Sequence, residues 1–264
     1  MTGVDVDTQR LNTARNEARR YGVLGRGGAD PEASRLARRQ VWRGPLVRLV
    51  RADGTAFDLP PPAEDGDAKG EQEGQEEERG ASSESGRASP PRALYERVLV
   101  DAECTHDGSL KHIAKFGAQW GWDTLESKMA IDVPAKVELQ KRLLRNGFRL
   151  LKPDSPSAAA EGEGKGAGEV AGEVEVEGQG VLRGDGAALV YSTCSLTVAQ
   201  NEGVVEWLLA QEPSAKVVPI AQPPGVEEGD AWPCVGGGVE HSLRFEPSTS
   251  RTSGLFICKI IRTS

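Results

Sequence analysis

Ala187 to Glu202 read AALVYSTCSLTVAQNE. An apolar, β-favouring run from Ala187 to Tyr191 ends in Ser192-Thr193-Cys194-Ser195, and NEGVVEWLLAQEP, from Asn201, then takes up helical spacing. A buried strand that ends in polar residues and hands over to a helix is the repeating unit of an open α/β sheet. Ninety residues before Cys194, RVLVDAECTHDGS shows the same pattern, with Asp101 and Cys104 after the apolar run. In a parallel sheet two such strands deliver both cysteines to one rim, where ligands bind.

The rest of the chain extends this plan. GVDVD, from Gly3, is a short β-like run with acids at Asp5 and Asp7. TQRLNTARNEARRYG follows, with Leu11, Ala14, Ala18 and Tyr21 at helical spacing and Gly22 as its stop. WRGPLVRLVRADGTAF predicts a strand over Leu46 to Val50 and a turn at Asp53-Gly54-Thr55. LQKRLLRNGFRLLKP places Leu139, Leu143, Leu144, Leu150 and Leu151 on or near one helical face, stopped by Pro153. GDG at Gly184 to Gly186 is the turn into the Ala187 strand, and HSLRFEP with SGLFICKIIR closes the chain as an antiparallel pair. Strands alternating with helices predict an α/β fold, its sheet mostly parallel with a C-terminal antiparallel hairpin. Asp5, Asp53, Asp101 with Cys104, and Cys194 then share one edge, although any single aspartate also fits a helix cap or a turn.

Two stretches are not core material. Residues 60–92 carry nine acids against four bases with hardly an apolar side chain above alanine, and residues 154–183, rich in Gly, Glu and Ala, carry seven acids against two bases. Neither buries enough apolar surface to offset its ordering entropy, so both read as disordered insertions in a single domain spanning residues 1–264. They account for the net charge of -8 and leave the remaining ~200 residues slightly basic, a balance that neither requires nor excludes a nucleic-acid partner. The cysteines, Cys104, Cys194, Cys234 and Cys258, have neither CxxC nor framework spacing, which argues for reduced thiols and against a zinc ribbon or any other metal site. No signal-like N-terminal run and no apolar run of membrane-span length is present, so the expectation is a soluble, intracellular protein without a membrane partner.

Taken together, GVDVDTQRLNTARNEARRYG, ADGTAF, VLVDAECT, LVYSTCSLTVAQNEGVVEWLL and RFEPSTSRTSGLFICKI resemble, in order, the Sun/Fmu type of RNA (cytosine-5) methyltransferases. YSTCS followed by Asn201-Glu202 is the most specific piece of that resemblance. It implies a Rossmann-like class I methyltransferase sheet with S-adenosyl-L-methionine along its carboxyl edge and RNA, a tRNA or an rRNA, as substrate. By matching position, Asp5 holds the ribose hydroxyls of the cofactor with Arg10 nearby, and Asp53 contacts its adenine end. Asp101 reaches both the cofactor's amino acid part and the target cytosine. Cys194 matches the nucleophile and Cys104 the second cysteine that helps release product.

The chemistry explains these residue types. Carbon 5 of cytosine is too electron-poor to attack a methyl sulfonium until a thiolate adds at carbon 6 and makes the ring enamine-like. Asp101, bridged to nitrogen 3, favours that addition, and after methyl transfer the carbon 5 proton and the Cys194 bond must both leave. The base must be unstacked to reach such a pocket, which points to single-stranded or loop RNA.

The sequence departs from the family in three places. The glycine-rich cofactor loop and the strand before it, which the family has upstream of the GVDVD-like strand, have no counterpart: GRGG at Gly25 to Gly28 follows a helix and VGGGV at Val235 to Val239 lies in a late loop. This predicts a fragment of a longer enzyme or, alternatively, a catalytically silent RNA-binding or assembly protein on the same scaffold. Glu103 replaces the usual proline before the first cysteine and would disfavour a Cys104 thiolate if its charge lies close. Ser248 stands where the family commonly has histidine, while Thr252 and Gly254 fit the pattern.

Overall fold

The computed structural model describes residues 1–22, 24, 31, 34, 40–43, 48–60, 94–153, 186–220 and 232–263. The chain divides into two compact units, Met1–Leu94 and Tyr95–Ser264. The GRGG stretch and, Pro60 apart, both insertions lie outside the described residues, as does the start of the GDG turn.

In the first unit β1 (Thr2–Asp5) pairs parallel with β3 (Arg48–Arg51), and β2 (Val41–Arg43) pairs antiparallel with β3 on its other side. Helix α1 (Thr8–Arg20) starts at the N-cap Asp7, whose carboxylate accepts from the Arg10 amide at 2.8 Å, and Gly22 beyond its end takes φ 72°, a left-handed value that favours glycine. Leu11 of the helix packs with Leu24, Trp42 and Leu49.

The second unit is a six-stranded sheet: β4 (Arg97–Asp101), β5 (Ala188–Thr193), β9 (Leu255–Arg262), β8 (Leu243–Phe245) and β7 (Val235–Gly236) in that order, with β6 (Ala215–Val218) also on β9. Helix α2 (Leu110–Trp120) and the long α3 (Trp122–Leu150) separate β4 from β5; α4 (Glu202–Gln211) follows β5, and the short α5 (Pro247–Ser250) precedes β9. Leu144, Phe148 and Leu151 from α3 and the residue after it, Leu189 and Tyr191 from β5, Val204, Val205 and Leu208 from α4, and Phe256, Cys258 and Ile260 from β9 form its core. Gly147 lets α3 sit close on the sheet: a Cβ there would lie 2.8 Å from Val100 Cγ2 and 3.1 Å from Leu189 Cδ1. No helix among the described residues is long and apolar enough to cross a membrane.

The expectation of a mostly parallel sheet needs correction. Among the described residues only β1 with β3 and β4 with β5 pair parallel, and the strands fall into two sheets rather than one. The crossover through α4 points β6 the same way as β5, but β9 is inserted between them and runs opposite to both. One antiparallel strand in that place makes two antiparallel pairs, and β8 adds a third on the far edge of β9. The closing β8–β9 pair is the hairpin expected from RFEP and LFICKII. Helix α3 is also longer than the leucine pattern predicts, because Pro134 sits inside it and the buried stripe, apart from Leu125, begins only at Gln140.

Glu202, 2% exposed at the start of α4, accepts from Arg244 of β8 through Nε at 2.6 Å and through Nη2, and from the Gly238 amide at 3.1 Å. Burial raises the Glu202 carboxyl, but the Arg244 hydrogen bonds, the backbone amides of Glu202 and Gly238 and the Arg244 charge together outweigh it, leaving the group below its ordinary value of 4.5. The pair's contribution is therefore full above that value and lost as pH falls through the lower folded one. Arg244→Ala strands a buried carboxylate and is expected to cost about 3 kcal/mol in urea unfolding, a loss that shrinks in acid.

Candidate active site

The parallel register sets Asp101 of β4 opposite Ser192 of β5, so the chain leaves both strands at the same rim. Pairing continues past the strands: the Ala102 amide donates to the Ser192 carbonyl at 3.0 Å and the Gly108 amide to the Cys194 carbonyl at 3.0 Å. Gly108 has no room for a side chain, since a Cβ would lie 2.4 Å from that carbonyl oxygen. Gly254 closes the other side, its amide donating to the Gly108 carbonyl at 2.7 Å. These close approaches give a physical reason for glycine at positions 108 and 254.

Cys104 and Cys194, far apart in sequence, end with their sulfurs 3.2 Å apart. His106 Nδ1 lies 3.1 Å from Cys194 Sγ and 3.8 Å from Cys104 Sγ, and the His106 amide donates to Cys104 Sγ at 3.4 Å. His106 adopts φ 59°, a left-handed conformation costing about 1 kcal/mol for a residue with a Cβ. That turn places both its amide and its ring beside the thiols. Asp101 accepts from Ser192 Oγ at 3.0 Å. The sequence pattern thus located Cys104, Cys194 and Asp101, but not the contact of His106 with both sulfurs.

Buried amides hold the two cysteine loops together. Gln200 Oε1 accepts from the Thr105 amide at 3.1 Å, while its Nε2 reaches Thr105 Oγ1 at 2.8 Å and Ser195 Oγ at 3.0 Å. Gln140 Nε2, from α3, donates to the Glu103 carbonyl at 2.9 Å. Asn201 accepts from Thr193 Oγ1 at 2.6 Å and donates to the Ser195 carbonyl at 2.8 Å. Gln200, Gln140 and Asn201 all lie in the interior. The only sequence signal for such roles was the Asn201-Glu202 pair, noted as part of a motif and not as a set of hydrogen bonds.

The electrostatics divide the thiols. Cys104 is held below the ordinary thiol value, first by the hydrogen bond with Cys194, against the opposing effect of burial. Cys194 is pushed up by the same bond and by burial, with the Asp101 charge adding to it. One proton shared between two sulfurs produces this split, and the two titrate as a pair. Glu103 does not impose the expected penalty, because its carboxylate turns to Lys136 Nζ and forms an ion pair. Burial lowers His106, with the His112 and Lys136 charges in support, so its ring is neutral and able to accept a proton at neutral pH.

Cys258 in the core of β9 is pushed up to about 12 by burial and stays a packed thiol. Cys104, His106 and Cys194 also offer two sulfurs and one imidazole nitrogen within 4.8 Å of one another, a donor set suited to a soft cation with one position open. Cysteine spacing gave no hint of this cluster, because the fold assembles it from two loops.

The remaining expected site residues belong to the first unit. Asp5 and Arg10 meet: Arg10 Nε lies 3.0 Å from Asp5 Oδ2, and Nη2 donates to Oδ1 at 3.2 Å. Asp53 accepts from the Thr55 amide at 2.8 Å and its hydroxyl at 2.7 Å, forming the expected turn after β3. Because β1 and β3 are parallel, with Asp5 opposite Arg51, Asp5 and Asp53 stand at the same end of their sheet.

Residues 178–261, which contain Cys194, Glu202 and all of β9 but Arg262, match the family described as 16S rRNA methyltransferase RsmB/F. The chain is similar to the RNA (cytosine-5) methyltransferases of the Sun/Fmu type. It is 27% identical over 172 residues to the tRNA (cytosine(49)-C(5))-methyltransferase of Pyrococcus abyssi, covering 63% of this chain and 41% of that protein. It is 25% identical over 170 residues to ribosomal RNA small subunit methyltransferase F of Shewanella denitrificans, covering 64% of this chain and 25% of that protein. The crystal structure of NSun6 from Pyrococcus horikoshii with SFG shares its fold, with a TM-score of 0.51 and 17% identity over 100% of this chain and 41% of the other. The chain therefore spans less than half the length of these Sun/Fmu-type relatives.

The thiol pair makes a direct prediction. Cys194→Ala removes the hydrogen bond that holds Cys104 down, so the alkylation rate of Cys104 against pH should shift to higher pH than the first inflection of the wild-type pair. An unshifted profile would contradict the shared-proton description.

Proposed function

We propose that this chain carries the catalytic centre of an S-adenosyl-L-methionine-dependent RNA (cytosine-5) methyltransferase in which Cys194 attacks carbon 6 of the target base. The observation that supports it most is the contact of Cys104, Cys194 and His106 at the ends of two adjacent parallel strands. Relatives named for cytosine-C5 methylation of tRNA and for methylation of ribosomal RNA point to one of those RNAs as the substrate class.

Because Cys194 is pushed up and does not ionise beforehand, it passes its proton to the neutral His106 ring, through Nδ1 at 3.1 Å, as its sulfur bonds to carbon 6. With sulfur on carbon 6, negative charge builds at nitrogen 3, and a proton held between nitrogen 3 and Asp101, which Ser192 positions, makes the hydrogen bond that stabilises it. When bound, the cofactor supplies the methyl group that carbon 5 then accepts. Cys104, whose thiol the Cys194 hydrogen bond makes more acidic before attack, takes the carbon 5 proton as its thiolate. The electrons of the carbon 5–hydrogen bond restore the ring double bond, the bond from Cys194 to carbon 6 breaks with its electrons returning to sulfur, Cys194 recovers its proton from His106, and Cys104 releases the carbon 5 proton to solvent. Loss of one such proton-transfer group typically costs 10² to 10⁴ in rate, about 3 to 5 kcal/mol of barrier.

Asp5 and Asp53 fit the cofactor in kind: both are carboxylates at the same end of a parallel strand pair, able to accept from hydroxyl or amino groups, and Arg10 orients Asp5. Their proposed roles are the ribose hydroxyls for Asp5 and the adenine end for Asp53, with Asp101 between cofactor and base.

RNA containing 5-azacytidine lacks the carbon 5 proton, so the Cys194 adduct cannot collapse and the protein should stay covalently bound through denaturing electrophoresis. Cys194→Ala should abolish the adduct. Cys104→Ala should let adduct accumulate on ordinary cytosine, because attack proceeds and release stalls. Methylation that survives Cys194→Ala would refute the assignment.

A further inference from the structure

Four aromatic rings extend from the thiol pair along α2. The His106 and His112 rings stack with centroids 4.6 Å apart and planes 12° apart, and His112 is 6.0 Å from Phe116. Phe116 stacks on Trp120 at 4.4 Å and 20°. Residues 112, 116 and 120 recur every fourth position, which puts them on one face of the helix. Beside them is a cavity of about 350 Å³ whose lining includes Cys104, His106, Phe116, Trp120, Lys128 and Ile131. Its volume is in the range of small-ligand sites.

These rings are not a core cluster, since Trp120 is 38% exposed and none of the other three is buried. Cations edge the row: Lys115 Nζ lies 5.0 Å from the Phe116 ring centroid and Lys128 Nζ 4.7 Å from that of Trp120. An apolar helix from a protein partner would need a broad aliphatic surface. Flat rings, two of them imidazoles, complement a planar ligand, and although Glu103, paired with Lys136, and Asp132 also line the cavity, Lys115 and Lys128 stand at the rings themselves.

We propose that this row is a stacking site for the unpaired nucleobases beside the target cytosine, with Lys115 and Lys128 near their phosphates. The proposal rests on the reading of Cys194 as the group that attacks cytosine. A base brought to Cys194 must leave its stack, and its neighbours then lose a stacking partner. The row begins 3.1 Å from Cys194 Sγ, at His106 Nδ1, its inner faces cover one another, and a flanking base replaces the lost partner at the outer end, on the Trp120 face over which the flexible Lys128 side chain lies. Every base has a π-face, so such a site tolerates different flanking sequences.

The test uses the full chain and a fluorescently labelled single-stranded oligoribonucleotide with one 5-azacytidine, followed for both equilibrium binding and covalent trapping. Trp120→Ala should weaken binding about tenfold, the order expected for loss of one base stack, while Trp120→Phe should retain most of it. Making the nucleotides next to the 5-azacytidine abasic should weaken wild-type binding by a similar factor, with little further loss in Trp120→Ala. Trapping that proceeds normally while binding is indifferent to both Trp120→Ala and the abasic change overturns the stacking site and leaves the Cys194 assignment standing. Binding that depends on Trp120 and on the flanking bases without any trapping supports the stacking site and removes the Cys194 assignment. A wild-type chain that does not bind the oligoribonucleotide overturns the stacking site.

Discussion

The parallel pairing of β4 with β5 is the constraint on which the reactive centre depends. Its register puts Asp101 beside Ser192, and every later contact, from the Gly108 amide on the Cys194 carbonyl to the 3.2 Å between sulfurs, follows from two chains leaving the sheet side by side. Gln200 and Asn201 then make the arrangement rigid by satisfying loop groups that water cannot reach. In a buried setting each unmade hydrogen bond of this kind costs about 1 to 3 kcal/mol, so the loops have little freedom to separate. The clamp between Glu202 and Arg244 secures the same corner from the β8 side, where Arg244 Nη1 also donates to the Leu196 carbonyl at 2.9 Å.

The shared thiol proton connects this scaffold to chemistry. Two isolated cysteines would both be thiols at neutral pH, whereas a hydrogen bond between them lowers one and raises the other. The result is two thiols of unequal acidity, Cys104 the more acidic, with neutral His106 as a third proton site. Glu103, a departure from the family pattern, is neutralised by Lys136 from α3 and leaves this division intact.

Much of the fold was legible because the strands and helices carry local signals. The β4, β5 and β9 stretches alternate or run apolar, Asp7 and Gly22 bracket α1, and RFEP with LFICKII announced the closing pair. The strands β2 and β6 were not expected, and the two-residue β7 is too brief for a pattern to emerge. Helix α3 hid half its length behind Pro134, because an interior proline normally marks a break. The sheet's mixed direction was missed for a different reason: the position of β9 between β5 and β6 is a long-range choice that no local run encodes.

The sequence by itself determined the reactive residue types and their strand-end positions, Asp101 and Cys104 after one apolar run and Cys194 after another, because a strand's polar terminus is written in its own residues. Only the tertiary structure decided that His106 would touch both sulfurs, that Lys136 would neutralise Glu103 and that the rings of α2 would line up from the thiols. The contacts of His106 and Lys136 join residues whose spacing carries no period, and the every-fourth spacing of the α2 rings does not say that their row meets the thiols; that meeting exists only once the loops have been folded onto one another.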